Sequence, residues 1–192
     1  MWFDPPSQQP DWSAGERYLR KVDPVLGKII KAVGPCTLHR RRDYFVVLCK
    51  SIFSQQISTA VATVLFGRFR DQFPGRRPTP ARVIDLLTHA NPELIRSCGV
   101  SRQKRVYLLD LADHFATGKL PTARFSRMQD EEIISALDAV NGIGRWTAEM
   151  FLIFVLNRPD VFPLDDLGLK KSVQVVFRLP LLPTSKQLQP YG

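Results

Sequence analysis

VNGIGRWTAEMFLIFVLNRPDVFPLDDLGLKKSV, residues 140–173, joins a Gly-Ile-Gly turn, a nearly uncharged apolar segment and the adjacent carboxylates of Asp165 and Asp166. Just before it, Asp130 to Val140 places Ile133, Ile134, Leu137 and Val140 at helical spacing. Asn141-Gly142 is a left-handed stop for that helix, and Gly144 lets the next one begin within about four residues. Two helices joined so closely make a helix-hairpin-helix. Gly142 and Gly144, flanking Ile143, leave no side chain in front of the backbone amides that open the second helix. That geometry suits a phosphate oxygen, and Arg145 adds positive charge. An ordinary turn between two helices has the same pattern. Beyond the apolar segment, Leu169, Val173, Val176 and Phe177 are spaced as the inward face of another helix. One of the two aspartates is then a natural N-cap.

The rest of the chain reads as helices separated by short breakers. Residues 1–15, rich in Pro, Gln and Asp, form a loose arm on which Trp2, Phe3 and Trp12 are available for docking. Helical spacing runs through 16–33 and through 43–53, where Phe45, Leu48 and Ile52 share a face. Ser58 caps a helix with Val61, Val64 and Leu65 on its apolar side. Thr79-Pro80 and Asn91-Pro92 each pair a capping side chain with proline at the first helical position, opening helices that end near Ala90 and Gly99. From Ser101 a helix with Leu108, Ala112 and Phe115 along one side runs to Gly118. Strand alternation, repeats and low-complexity tracts are not found, so the fold class is all-α, packed from amphipathic helices.

A chain of 192 residues that is 44% hydrophobic can bury a full core, as one domain or two small lobes. Its 27 Lys and Arg against 18 Asp and Glu give a formal charge of +9, so a polyanion is the natural partner, with nucleic acid first. No apolar run approaches the roughly 20 residues of a spanning helix, and the amino end lacks the regions of a signal peptide. An intracellular protein without a membrane partner is expected, cytoplasmic and nucleoid-associated if bacterial. Cys36, Cys49 and Cys98 form no CxxC unit, and His39, His89 and His114 have no metal-ligand spacing. No cofactor and no metal held by side chains are expected.

At this point the sequence is seen to resemble a known family. VNGIGRWTAEMFLIF followed by VFPLDDLGLKKSV is similar to the helix-hairpin-helix and catalytic-aspartate signature of the DNA glycosylase superfamily, and within it to the AlkA-type 3-methyladenine DNA glycosylases. SIFSQQISTAVA at 51–62 and CGVSRQKRVYLLDLA at 98–112 resemble two further family elements, in matching order and spacing. The resemblance implies a two-lobed helical fold over residues 16–192, with the hairpin and catalytic segment at 130–178 and a target base extruded into the cleft between the lobes. It implies hydrolysis of the N-glycosidic bond of alkylated purines in double-stranded DNA, and a monomer is expected.

Residue by residue, the resemblance puts the catalytic aspartate at Asp166, three residues before the apolar Leu169, and leaves Asp165 as helix cap or supporting residue. Trp146 stands where strand-cutting members carry a Schiff-base lysine, which implies base removal alone. Trp146 and Met150 line the base pocket. Gln56, with Gln55 beside it, falls where a side chain wedges into the gap left by the flipped base. Asn141, Gly142, Ile143, Gly144, Arg145 and Thr147 form the phosphate-binding hairpin. Ser101, Arg102 and Lys104 give additional DNA contacts. Each has a plainer reading: Trp146 as core, the glutamines as backbone partners, and the basic cluster with Arg105 as a solvated helix face. Three departures bear on what the resemblance implies. A short form is expected, with nothing matching the family's amino-terminal β domain or a final helix of pattern W-x-P-x-R-x-x-A, and Met150 stands where AlkA has a tyrosine near the pocket. A DNA-binding module with weak or no glycosylase activity is therefore the alternative.

Overall fold

The computed structural model describes residues 10 to 191, and among them every regular element is a helix. The all-α expectation holds. The chain divides into two compact units. One is Arg41–Phe151, and the other takes the residues up to Arg40 together with those from Leu152 onward.

The second of these units begins with α1 (Trp12–Val22) and α2 (Pro24–Val33). They replace the single helix read over 16–33. Pro24 has no N–H to donate and disfavours helical backbone before it, so Asp23 is extended. Its carboxylate then caps α2, accepting from Val25 N–H (2.7 Å) and Leu26 N–H (3.0 Å). Asp11 caps α1 through Ala14 N–H (3.2 Å), so the helix begins inside the stretch read as an arm. Residues 1–9 of that arm, with Trp2 and Phe3, lie outside the described residues. Trp12 Nε1 donates to the Leu38 carbonyl (3.2 Å). A cavity of about 590 Å³ in this unit is lined by Trp12, Leu19, Ile29, Val33, Cys36 and Pro159 among others.

The Arg41–Phe151 unit contains α3 (Tyr44–Ser54), α4 (Thr59–Arg70), α5 (Pro80–His89), α6 (Pro92–Ser97), α7 (Arg102–Ala116), α8 (Asp130–Asp138) and α9 (Arg145–Phe151). Phe45, Leu48 and Ile52 of α3 are buried as read, and Ser58 and Asn91 cap α4 and α6. Thr79 makes no side-chain cap. On α4 the buried face is Ala62, Phe66 and Phe69, while Val61 and Val64 are exposed. Both faces have helical spacing, but the phenylalanines bury more surface and interlock with Phe53 and Phe73 at ring separations of 5.0–6.3 Å. Leu108, Leu111 and Ala112 of α7 complete this core with Val83 and Leu87 of α5. At α8, Glu132 reaches back to accept the Gln129 N–H (2.8 Å), and three acids occupy the first turn.

In the unit that holds α1 and α2, Leu152–Leu156 form a π-turn that ends at Asn157, buried and left-handed at φ 55°. With its amide assigned from its neighbours, Asn157 donates to the Ile153 carbonyl (3.2 Å) and accepts from Arg40 N–H (2.5 Å). α10 (Leu167–Val176) and α11 (Ser185–Leu188) follow. Of the expected inward face of α10, only Val173 is buried, and Val176 and Phe177 are exposed. Phe177 instead pairs at the surface with Tyr191, ring centroids 4.5 Å apart.

Candidate functional site

In the Arg41–Phe151 unit the turn between α8 and α9 is built on Gly142, whose φ is +84°. A Cβ there would stand 2.3 Å from the Tyr107 ring, so both backbone and space demand glycine. Asp110 Oδ2 accepts the Asn141 N–H (2.7 Å), and Gln55 Nε2 donates to the Gly142 carbonyl (2.6 Å). Three side chains from α7 and the end of α3 thus hold the turn from behind, while Val140 and Ile143 anchor it in the core. Where a Cβ of Gly144 would stand, nothing approaches within 4 Å, which leaves the start of α9 open to an approaching group. Sequence reading missed Tyr107 and Asp110. Their signal was a spacing of three on α7, which puts them on one helix face.

Arg145 opens α9 and is engaged on both sides. Its guanidinium makes a forked pair with Glu131 (2.5 and 3.0 Å) and meets the buried Glu149 at 3.1 Å. The Glu131 bond raises the Arg145 pKa above its ordinary value and lowers that of Glu131. Trp146 is 49% exposed, which removes the core-packing reading of that residue. Thr147 and Met150 are half-buried beside it on α9.

Two expected DNA contacts are engaged within the chain. Gln55 braces the hairpin, as above. Lys104 Nζ donates to the Phe53 carbonyl (2.7 Å), closing the end of α3, and sits 5.8 Å from the Phe53 ring. Burial lowers its pKa. Gln56, in contrast, is exposed and left-handed at φ 64°, an uncommon backbone for a side chain of its size. Ser101 caps α7 through Lys104 N–H (3.2 Å), and Arg102 is exposed.

In the other unit, the aspartate pair divides its work differently from the expectation. Asp166, not Asp165, is the N-cap of α10, its Oδ1 accepting the Leu169 N–H at 2.7 Å. The spacing of three to Leu169, on which its expected catalytic role rests, is also the spacing of a cap. Asp166 is half-buried, and a Cβ on Gly168 would come within 3.1 Å of its Oδ1, so glycine leaves the carboxylate room. Asp165 Oδ1 instead accepts from Ser185 Oγ (2.5 Å) and Lys170 Nζ (3.3 Å), tying the segment to α11. The Asp166 carboxylate, fixed by the Leu169 N–H, can stabilise positive charge without reorganising.

Among the described residues, no three His, Cys, Asp or Glu side chains gather as a metal site, and no helix is long and apolar enough to cross a membrane.

Comparison with known proteins gives these parts a common frame. The DNA-3-methyladenine glycosylase 1 of Schizosaccharomyces pombe is 35% identical over 174 residues, 88% of this chain and 75% of that protein. The solved 3-methyladenine DNA glycosylase Mag1 of the same yeast, in complex with abasic DNA, superposes with a TM-score of 0.78 at 33% identity, covering 93% of this chain and 87% of that one. A DNA-3-methyladenine glycosidase from Bacillus halodurans gives 0.77 at 27% identity, covering 96% and 83%. Residues 49–190 match the family described as HhH-GPD superfamily base excision DNA repair protein, and the chain belongs to that family.

Proposed function

We propose that the protein is a monofunctional DNA glycosylase that hydrolyses the N-glycosidic bond of alkylated purines, of the 3-methyladenine and 7-methylguanine type, flipped out of duplex DNA. The observation that carries this reading is Asp166, a half-buried carboxylate pinned at the head of α10 by the Leu169 N–H. Breaking the bond builds positive charge on the deoxyribose. A carboxylate about 4 Å from a full cation contributes roughly 4 kcal/mol at an effective dielectric near 20, or about a thousandfold in rate. It also orients the attacking water. A methyl on a ring nitrogen makes the base cationic and a good leaving group, which lowers what the protein must supply.

The half-exposed Trp146 offers an aromatic face to an electron-poor base through cation–π attraction, with Met150 alongside. With tryptophan in place of a Schiff-base lysine, the product is an abasic site in an uncut strand. The open amides at Gly144, with Arg145 and Thr147 behind them, take a backbone phosphate. Gln56 enters the gap left by the flipped base and meets the orphaned partner base. Arg102 adds a further contact. The protein acts as an intracellular monomer.

The test is release of 3-methyladenine and 7-methylguanine from methylated duplex, followed by alkali to reveal abasic sites. Release that falls about a thousandfold in Asp166→Asn, with binding retained, is the expected result. Firm duplex binding by the wild type without release of either base would leave a DNA-binding module and overturn the enzymatic reading.

A further inference from the structure

A second pocket lies in the Arg41–Phe151 unit, away from the hairpin. It measures about 280 Å³ and is walled by Arg41, Lys50, Arg70 and Arg76. Val46, Val47 and Phe66 line its apolar side, where charge is screened less than on open surface. Asp43 is its one carboxylate, paired with Arg41 at 2.7 Å. Arg41 and, more weakly, Arg70 hold the Asp43 pKa down, so both cations face it. Asp71 pairs with Arg76 from outside the lining. Lys50 has no carboxylate at ion-pairing distance among the described residues. Four cations against two carboxylates leave an excess of two positive charges.

The loop that supplies Arg76 is held in an unusual shape. Gly75 and Arg76 are both left-handed, at φ 62° and 57°, and a side chain in that region costs free energy that contacts must offset. Those contacts fix the pocket wall. Arg76 N–H donates to the Phe73 carbonyl (2.9 Å), and its own carbonyl accepts from Arg70 Nε (2.8 Å). The Arg70 guanidinium is thereby fixed against the Arg76 backbone in the pocket wall, and a guanidinium presents forked donors suited to phosphate oxygens. The volume is at the small end for ligand sites, enough for a phosphate and its sugar.

We infer that this pocket is a phosphate-binding site, and that the phosphate it takes is one of the DNA backbone flanking the flipped base. Lys50 lies on α3 about 7.5 Å of helix rise before Gln55, so the pocket and the Gln55–Gln56 turn share one helix. A strand that follows α3 back from Gln56 meets the pocket first at Lys50, the lining residue of α3 nearest that turn. The choice of source rests on the glycosylase reading. The phosphate chemistry does not.

The experiment measures affinity for an undamaged duplex across a salt series, in the wild type, Lys50→Gln, Thr63→Glu and Arg82→Gln. Thr63 is an exposed pocket residue whose replacement adds a carboxylate without removing a cation. Arg82 is an exposed cation of α5 outside the lining, and controls for net charge. The slope of log K against log salt is expected to fall by about 0.9 for each phosphate lost in Lys50→Gln and Thr63→Glu, and to stay at the wild-type value in Arg82→Gln. Tripolyphosphate titrated into the same proteins separates the sources. Saturable binding that Thr63→Glu abolishes, with an unchanged DNA slope, supports a phosphate site but overturns the backbone as its ligand. Equal slopes in all four proteins with no tripolyphosphate binding overturn the site. A wild type that binds no duplex refutes the glycosylase reading instead.

Discussion

At Asp166, one side chain serves both the helix and the proposed chemistry, and substitutions can separate the two. Asparagine caps a helix as well as aspartate does, so Asp166→Asn should unfold at the same temperature as the wild type while losing base release. Asp166→Ala removes the cap as well and should be less stable by about 1 kcal/mol, read as a shift in a urea midpoint. If both variants lost stability equally, the cap at Leu169 N–H would not be the contact that matters. Gly142 is the other residue on which much depends. Gly142→Ala faces a left-handed backbone, about 1–2 kcal/mol, and the Tyr107 ring, about 1–3 kcal/mol more. A second change, Tyr107→Ala, should recover less than all of the midpoint shift, because it makes space but cannot change φ.

At the level of elements, α3 carries the connection between core and hairpin. Lys104 closes its end at Phe53, and Gln55 extends from it to Gly142. Lys104→Met should cost about 1.5 kcal/mol of stability and leave the salt dependence of DNA binding unchanged, the reverse of what a phosphate contact would do. Burial also sets the sign of a pH effect. The Lys104 pKa lies below its ordinary 10.5, so just under that value the unfolded chain holds more protons and stability rises with pH. The methionine variant lacks that component, which denaturation midpoints at pH 9 and 10.5 would reveal.

These same elements show what the sequence could and could not say. Caps at Ser58 and Asn91 were legible because their partners are two or three residues away. The break at Asp23-Pro24 carried the same signal as Asn91-Pro92, but the apolar spacing of 16–33 hid it. On α4 two faces shared one period, and the choice depended on Phe53 and Phe73, outside the helix. The hairpin was legible from its glycines. The bonds that Gln55 and Lys104 make within the chain were not legible, because their partners lie 87 and 51 residues along it.

Over the whole molecule, an excess of nine positive charges accompanies a division into two units that draw on separated parts of the chain. The three cysteines are distributed unevenly. Cys49 and Cys98 are buried in the Arg41–Phe151 unit, and burial raises both thiol pKa values. Cys36, in the other unit, is exposed. A chromogenic thiol titration of the folded protein should therefore count one group per chain, rising to three in denaturant, and a second fast thiol would mean that one of the buried pair opens readily. Cys36 also borders the cavity lined by Trp12, and its N–H is anchored by Glu16 at 2.5 Å. The unaltered chain is thus ready for single-site labelling: a maleimide fluorophore would attach beside Trp12, and its emission would follow the α1–α2 unit during a titration in which the hairpin's unit carries no probe.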